Sequence, residues 1–159
     1  MRILGIDPGS KNTGYGVILK EGNYLRQIIY GEIKPPKSAK LSAALIDIYE
    51  RISAVIIQTN PQAIALENIF YGKNVRSLIK QAHVRGVTVL CGADKSIPVF
   101  EYSPLEIKKA VVGYGRAEKR QVQAMVKAIL KLPVLPPADA ADALAAAICH
   151  ANFSKETFI

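Results

Sequence analysis

Residues 1–19, MRILGIDPGSKNTGYGVIL, hold two apolar runs separated by a break, and one residue interrupts the pattern. Ile3, Leu4 and Ile6 read as a buried strand, and Tyr15 to Leu19 as the strand that follows. Asp7 ends the first run immediately before Pro8 and Gly9. A carboxylate at the end of a core strand is partly desolvated, which costs free energy unless something compensates. Two readings stand. Asp-Pro-Gly initiates turns well, and an Asp side chain can satisfy nearby backbone donors. Alternatively, Asp7 is a ligand or catalytic group held on a rigid element. The local sequence does not choose between them.

Working outward, residues 2–7, 15–20 and 27–33 are apolar or alternating between Gly-rich breaks, which predicts three strands joined by short turns. Leu41, Leu45, Ile48, Ile52, Val55 and Ile56 recur at helical spacing, and Pro61 ends that helix. AIALE (63–67) is a fourth strand. Asn74 can cap a helix whose inner face is expected to include Val75, Leu78, Ile79, Ala82 and Leu90. IPVFEYS (97–103) is a fifth strand, and Ser103-Pro104 starts a short helix with a cap and a Pro at its first position. A helix with Val122, Met125, Val126 and Ile129 follows GYGRAEKR. PVLPP (133–137) is a rigid connector to an Ala-rich final helix. This order predicts an α/β fold with a mixed five-stranded sheet flanked by helices: an antiparallel meander, then strands reached by helical crossovers. Residues 1–159 are expected to form one domain, without repeats or low-complexity tails.

Composition narrows the class. Half the residues are hydrophobic and 21% are charged, which argues against extensive disorder. Cys91 and Cys149 lie far apart without CxxC spacing, so neither a disulfide framework nor a zinc site is expected. No apolar run approaches bilayer-spanning length and no signal core opens the chain, so a soluble cytoplasmic protein is predicted. The net charge is +8, and residues 71–131 hold 12 of the 21 basic groups against 4 of the 13 acids. So concentrated an excess is the footprint of a phosphate-backbone binder, though a solvated surface reads the same way.

The acids lie elsewhere. Asp7 and Glu67 end the first and fourth strands, and functional groups in open α/β sheets favour the carboxyl ends of strands. Asp139 and Asp142 are three apart and share one helix face. Individually, Glu67 could be a solvated strand-end acid, and the two Asp residues could serve the helix dipole. If all four converge, they repel one another unless a cation intervenes. Mg²⁺ suits sparse carboxylate sites that also bind phosphate oxygens. Two such ions can activate water and stabilise the leaving oxygen in phosphodiester hydrolysis. On that reading Asp7 is charged to hold metal.

Four segments, in order, carry a family resemblance: GIDPGSKNTGYGVI, ALENIFYGKN, EYSPLEIKKAVVGYGRAEKRQVQAMV and LPPADAADALAAAICH. Together they span almost the whole chain and resemble the RuvC Holliday junction resolvases. The resemblance implies a ribonuclease H-like fold and a homodimer joined through the helix from Val75, where Gly86 would permit close approach. It implies Mg²⁺-dependent paired nicking of four-way DNA junctions in recombination and repair, leaving 5′-phosphate and 3′-hydroxyl ends. Two Mg²⁺ per active site are expected, with Mn²⁺ as a substitute, and RuvA- and RuvB-type branch-migration partners. The family's catalytic, metal-holding acids carry over onto Asp7, Glu67, Asp139 and Asp142.

For DNA contacts, the resemblance singles out Phe70 as a junction-probing ring, and Lys108 and Lys119 as lysines near the scissile strand. An aromatic beside a nuclease site can stack on an unpaired base or simply lid the core. Lys119 and Arg120 sit at a helix start, where cations oppose the dipole and an anion would fit. Arg116 is a further candidate. Lys73, Arg76 and Lys80 either track backbone or form a solvated face. His83 reads as structural. His150 lies eight residues beyond Asp142, too far along a helix to share a metal with it. Two rival readings and a related nuclease family fit less well. An ATP-binding domain of the actin and heat-shock ATPase type needs a second similar domain. A non-catalytic junction-binding module leaves the acids unexplained. A related pre-ribosomal RNA nuclease shares the acids, but ENIF and DAADALAAA look like the resolvase.

Overall fold

The computed structural model describes residues 1–9, 11–69 and 74–153. Strand β1 (Arg2–Asp7) is followed by β2 (Thr13–Glu21), β3 (Tyr24–Ile33), α1 (Leu41–Thr59), β4 (Ala63–Glu67), α2 (Val75–Asp94) and β5 (Val99–Tyr102). Helices α3 (Pro104–Val112), α4 (Lys119–Ile129) and α5 (Ala138–Asn152) complete the order. The sheet runs β3-β2-β1-β4-β5, with β1 antiparallel to β2 and parallel to β4. The expected mixed five-stranded sheet is therefore present. The meander strands run longer than expected because Gly22-Asn23 makes a two-residue turn that lets Glu21 pair with Tyr24. Gly22 supplies the positive φ (+57°) that the turn needs.

The sheet is covered on both faces, and strand alternation decides which side chains go where. Leu4 and Ile6 of β1 and Ile64 and Leu66 of β4 pack with Ile48 and Ile52 of α1 and Val84 and Cys91 of α2. Ile3, Ala63, Ala65, Phe100 and Tyr102 pack on the other face with α3, α4 and α5. On that second face small residues let α5 lie almost on the backbone. A Cβ at Gly5 would fall 1.8 Å from the carbonyl oxygen of Ala143, and one at Gly14 would fall 1.9 Å from that of Asp139. The Ala run of α5 is buried against this floor.

The inner face expected for α2 is wrong. Val75, Ile79 and Leu90 are 66%, 53% and 57% exposed, and Ala82 is exposed too; the face turned to the sheet is Val84, Thr88 and Cys91. The helix carries two apolar stripes at helical spacing, and only the second meets the core.

Candidate active site

The site grows from strand parity. Asp7 follows Ile3 and Gly5 on the face of β1 that meets α5, and Glu67 follows Ala63 and Ala65 on the same face of β4. Parallel pairing of Ile6 with Leu66 brings the two strands to their carboxyl ends together. Opposite Asp7 in the antiparallel pair is Gly14, whose missing side chain admits the start of α5. Asp139 in the first turn of α5 and Asp142 one turn on thus reach the edge where Asp7 emerges.

Carboxylate oxygens of Asp7, Asp139 and Asp142 lie within 4.8 Å of one another. Glu67 stands outside that tight group. It lines a cleft of about 130 Å³ with Lys108, Lys119 and Asp142. The charges register one another. Burial, then Asp142, Glu67 and Asp139, push the Asp7 carboxyl up to about 7. Burial, then Asp142, raises Glu67, while Lys119 and Lys108 pull it down. Burial raises Asp142 as well, opposed first by Lys119, whose Nζ stands 3.5 Å from Asp142 Oδ2. Lys119 is itself raised chiefly by Asp142.

This donor set fits a hard divalent cation. It offers only carboxylate oxygens, and their mutual repulsion is what a cation would relieve. The turn reading of Asp7 is not needed locally, because the β1–β2 loop is closed by other groups. Thr13 Oγ1 donates to Gly9 O at 2.9 Å, and the Asn12 carbonyl lies where a Cβ on Gly9 would sit.

The remaining predicted positions scatter more. Lys108 and Lys119 share the Glu67 cleft. Arg116 and Arg120 are exposed around the start of α4, and Arg76 and Lys80 are exposed on α2. Phe70 and Lys73 fall outside the described residues. His83 is exposed rather than packed. His150 is buried away from the acids, with Nδ1 2.7 Å from the Tyr102 hydroxyl and its ring 4.4 Å from that of Phe100. Sequence reading missed a second cleft, of about 340 Å³, lined by Gly9, Lys11, Asn12, Ser77, Gln81 and Asp139. Nothing in the spacing of Asn12 and Gln81, 69 residues apart, announces that they meet. It also missed why Gly5 and Gly14 are glycines, although Gly14 and Gly16, two apart on β2 and both facing α5, are a readable signal of close packing.

Residues 3–150 match the family described as crossover junction endodeoxyribonuclease RuvC. The chain is 50% identical over 153 residues to the crossover junction endodeoxyribonuclease RuvC of Ruminiclostridium cellulolyticum, covering 96% of this chain and 92% of that protein. Its fold is similar to the solved RuvC of Thermus thermophilus, with a TM-score of 0.89 and 31% identity over 97% of this chain and 95% of that one. The same T. thermophilus protein in complex with Holliday junction substrate gives a TM-score of 0.88 and 29% identity at the same coverage. The sheet order and its covering helices are the ribonuclease H-like arrangement that these proteins share. From the match over nearly its whole length, the chain belongs to the RuvC family of crossover junction endodeoxyribonucleases.

Proposed function

We propose that this chain resolves four-way (Holliday) DNA junctions in recombination and repair, by paired, symmetric phosphodiester hydrolysis that leaves 5′-phosphate and 3′-hydroxyl ends. The observation that carries the reading is the convergence of Asp7, Asp139 and Asp142 within 4.8 Å, in a family of endodeoxyribonucleases. Family members depend on divalent metal, and in this reading Asp7, Glu67, Asp139 and Asp142 hold two Mg²⁺, with Mn²⁺ as a substitute. When bound, such a pair activates a water and stabilises the leaving oxygen of an in-line displacement. The chain's own part is to fix the four carboxylates on two strand ends and one helix, so that little slack remains. Lys119, mostly exposed and 3.5 Å from Asp142, can turn from that carboxylate to a DNA phosphate. Lys108 lines the same cleft, and Arg76, Arg116 and Arg120 offer exposed charge along the approach. The roles of Phe70 as a stacking ring and Lys73 as a backbone contact rest on the resemblance of their segment.

Two equivalent strands call for two equivalent sites, hence a two-fold homodimer. The exposed stripe of Val75, Ile79, Ala82 and Leu90 on α2 supports this, since a soluble helix rarely leaves so much apolar surface open. Gly86 lies on the same stripe, and among the described residues nothing stands within 4 Å of where its Cβ would be. No helix of the described residues is long and apolar enough to cross a membrane. A cytoplasmic location, residues 1–159 acting as one nuclease domain, and partnership with RuvA- and RuvB-type branch-migration proteins complete the proposal.

The test compares a four-way junction with linear duplex of the same sequence, with and without Mg²⁺. Symmetric nicks confined to the junction and to Mg²⁺ are expected. Equal cutting of linear duplex, or a preference for RNA, would contradict the reading.

A further inference from the structure

Two clefts flank the acids and have no lining residue in common. One, on the α3 and α4 side, is lined by Glu67, Asp142, Lys108 and Lys119. The other opens between the β1–β2 loop and the first turns of α2, with Asp139 at its edge. A DNA strand whose scissile phosphate sits at the carboxylates must send a neighbouring nucleotide each way. The chemistry of the two clefts differs accordingly. Lysines are point charges suited to phosphates, and contacts to phosphate position a strand without reading its sequence. Asn12 and Gln81 are half-buried amides, each with a donor and an acceptor in one plane, and paired amide groups can read base edges. The cleft of about 340 Å³ falls at the lower end of the range that holds small ligands.

Its walls are held by the fold. The Thr13 hydroxyl bond to Gly9 O closes the loop that carries Lys11 and Asn12. Across the cleft, Asn74 Oδ1 accepts from the Ser77 backbone N–H at 3.2 Å and anchors the start of α2 below Gln81. Amides can also bond backbone phosphates, but two of them on separately anchored walls are suited to the planar edge of a base.

Resting on the proposed junction-cleaving function, we propose that this second cleft receives the base next to the scissile phosphate. Asn12 and Gln81 read its edge and set the enzyme's sequence preference at that one position. Lys11 and the Ser77 hydroxyl hold the adjoining backbone and are indifferent to sequence. Nucleotides at a junction's crossover can leave their stack, so an edge becomes available to amides that a closed duplex would hide.

The experiment is single-turnover cleavage in Mg²⁺ of a panel of four-way junctions, in which the nucleotides on both sides of the cut are varied through all four bases. Wild type, Asn12→Ala, Gln81→Ala, the double variant and Lys11→Ala are compared, with junction affinity measured in parallel. Wild type should discriminate at one flanking position, and the double variant should flatten that discrimination by about tenfold, the scale of one good amide–base pair. Junction affinity, measured for each sequence, separates a uniform loss of binding from a loss of discrimination. Lys11→Ala should slow or weaken all sequences alike. Gln81→Glu, which loses its donor but keeps its shape, should shift the favoured base rather than flatten the profile. A profile unchanged in the double variant, or a wild type indifferent at both flanking positions, overturns the inference. If wild type nicks no junction at all, the underlying function fails instead, and the two failures are thereby distinguished.

Discussion

At the scale of single residues, Asp7 places folding and function in opposition. Its carboxyl is held at about 7 by burial and by Asp142, Glu67 and Asp139, against an ordinary value of 3.8. Between those values the unfolded chain has released the proton while the folded chain keeps it. The folded state binds more protons there, so the metal-free protein loses stability as pH rises from about 4 to about 7, and the loss levels off above. Asp7→Asn removes the penalty. In EDTA at pH 8 the variant should melt higher than wild type, by on the order of 1 kcal/mol, and the difference should close near pH 4. Added Mg²⁺ should raise the wild-type melting temperature more than that of the variant, because ligand binding to the folded form stabilises by mass action. Calorimetry at the two pH values decides it: a variant that melts lower in EDTA yet responds fully to Mg²⁺ would return Asp7 to a turn role. Asp7 was legible in the sequence because a charge at the end of an apolar strand is anomalous. Asn12 and Gln81 are ordinary surface amides in sequence, and only the fold brings them to one cleft.

At the scale of elements, the acids owe their convergence to the contact between α5 and a strip of sheet without side chains. Gly5 and Gly14 meet the backbone of Ala143 and Asp139, so neither tolerates a Cβ without moving the helix that carries two of the acids. Gly14→Ala should cost about 3 kcal/mol, the upper part of the range for overpacking, and lower the melting temperature by roughly 10 °C. Cleavage by the still-folded fraction should fall as well, because Asp139 moves. A variant with wild-type melting and wild-type rate would show that α5 can retreat without disturbing the site. The elements themselves were readable because strand alternation, helical spacing and Pro or Gly breaks coincide at almost every boundary. Which face of α2 points inward was not. Val84, Thr88 and Cys91 keep one helical stripe, and Val75, Ile79, Ala82 and Leu90 keep another. Periodicity marks an apolar stripe, but not whether its partner belongs to the same chain.

At the scale of the whole molecule, charge and apolar surface divide the work. The basic excess of residues 71–131 includes Lys108 and Lys119 beside the acids, while α2 leaves an apolar stripe exposed. Sedimentation at micromolar concentration should give a dimer for wild type and a monomer for Ile79→Glu, which sets a charge in that stripe. A wild type that remains monomeric even with junction bound would contradict the two-fold assembly. The proposed function separates two tasks, junction binding by a basic surface and cleavage by an acidic centre. The direct measurement is Asp7→Asn against wild type on a four-way junction in Mg²⁺, recording affinity and single-turnover cleavage together. If Asp7 holds metal as proposed, its loss should remove several kcal/mol of transition-state stabilisation, about a thousandfold in rate, while affinity stays within a few fold. Cleavage by Asp7→Asn near the wild-type rate, at undiminished affinity, would contradict the assignment of this acidic centre as the site of hydrolysis.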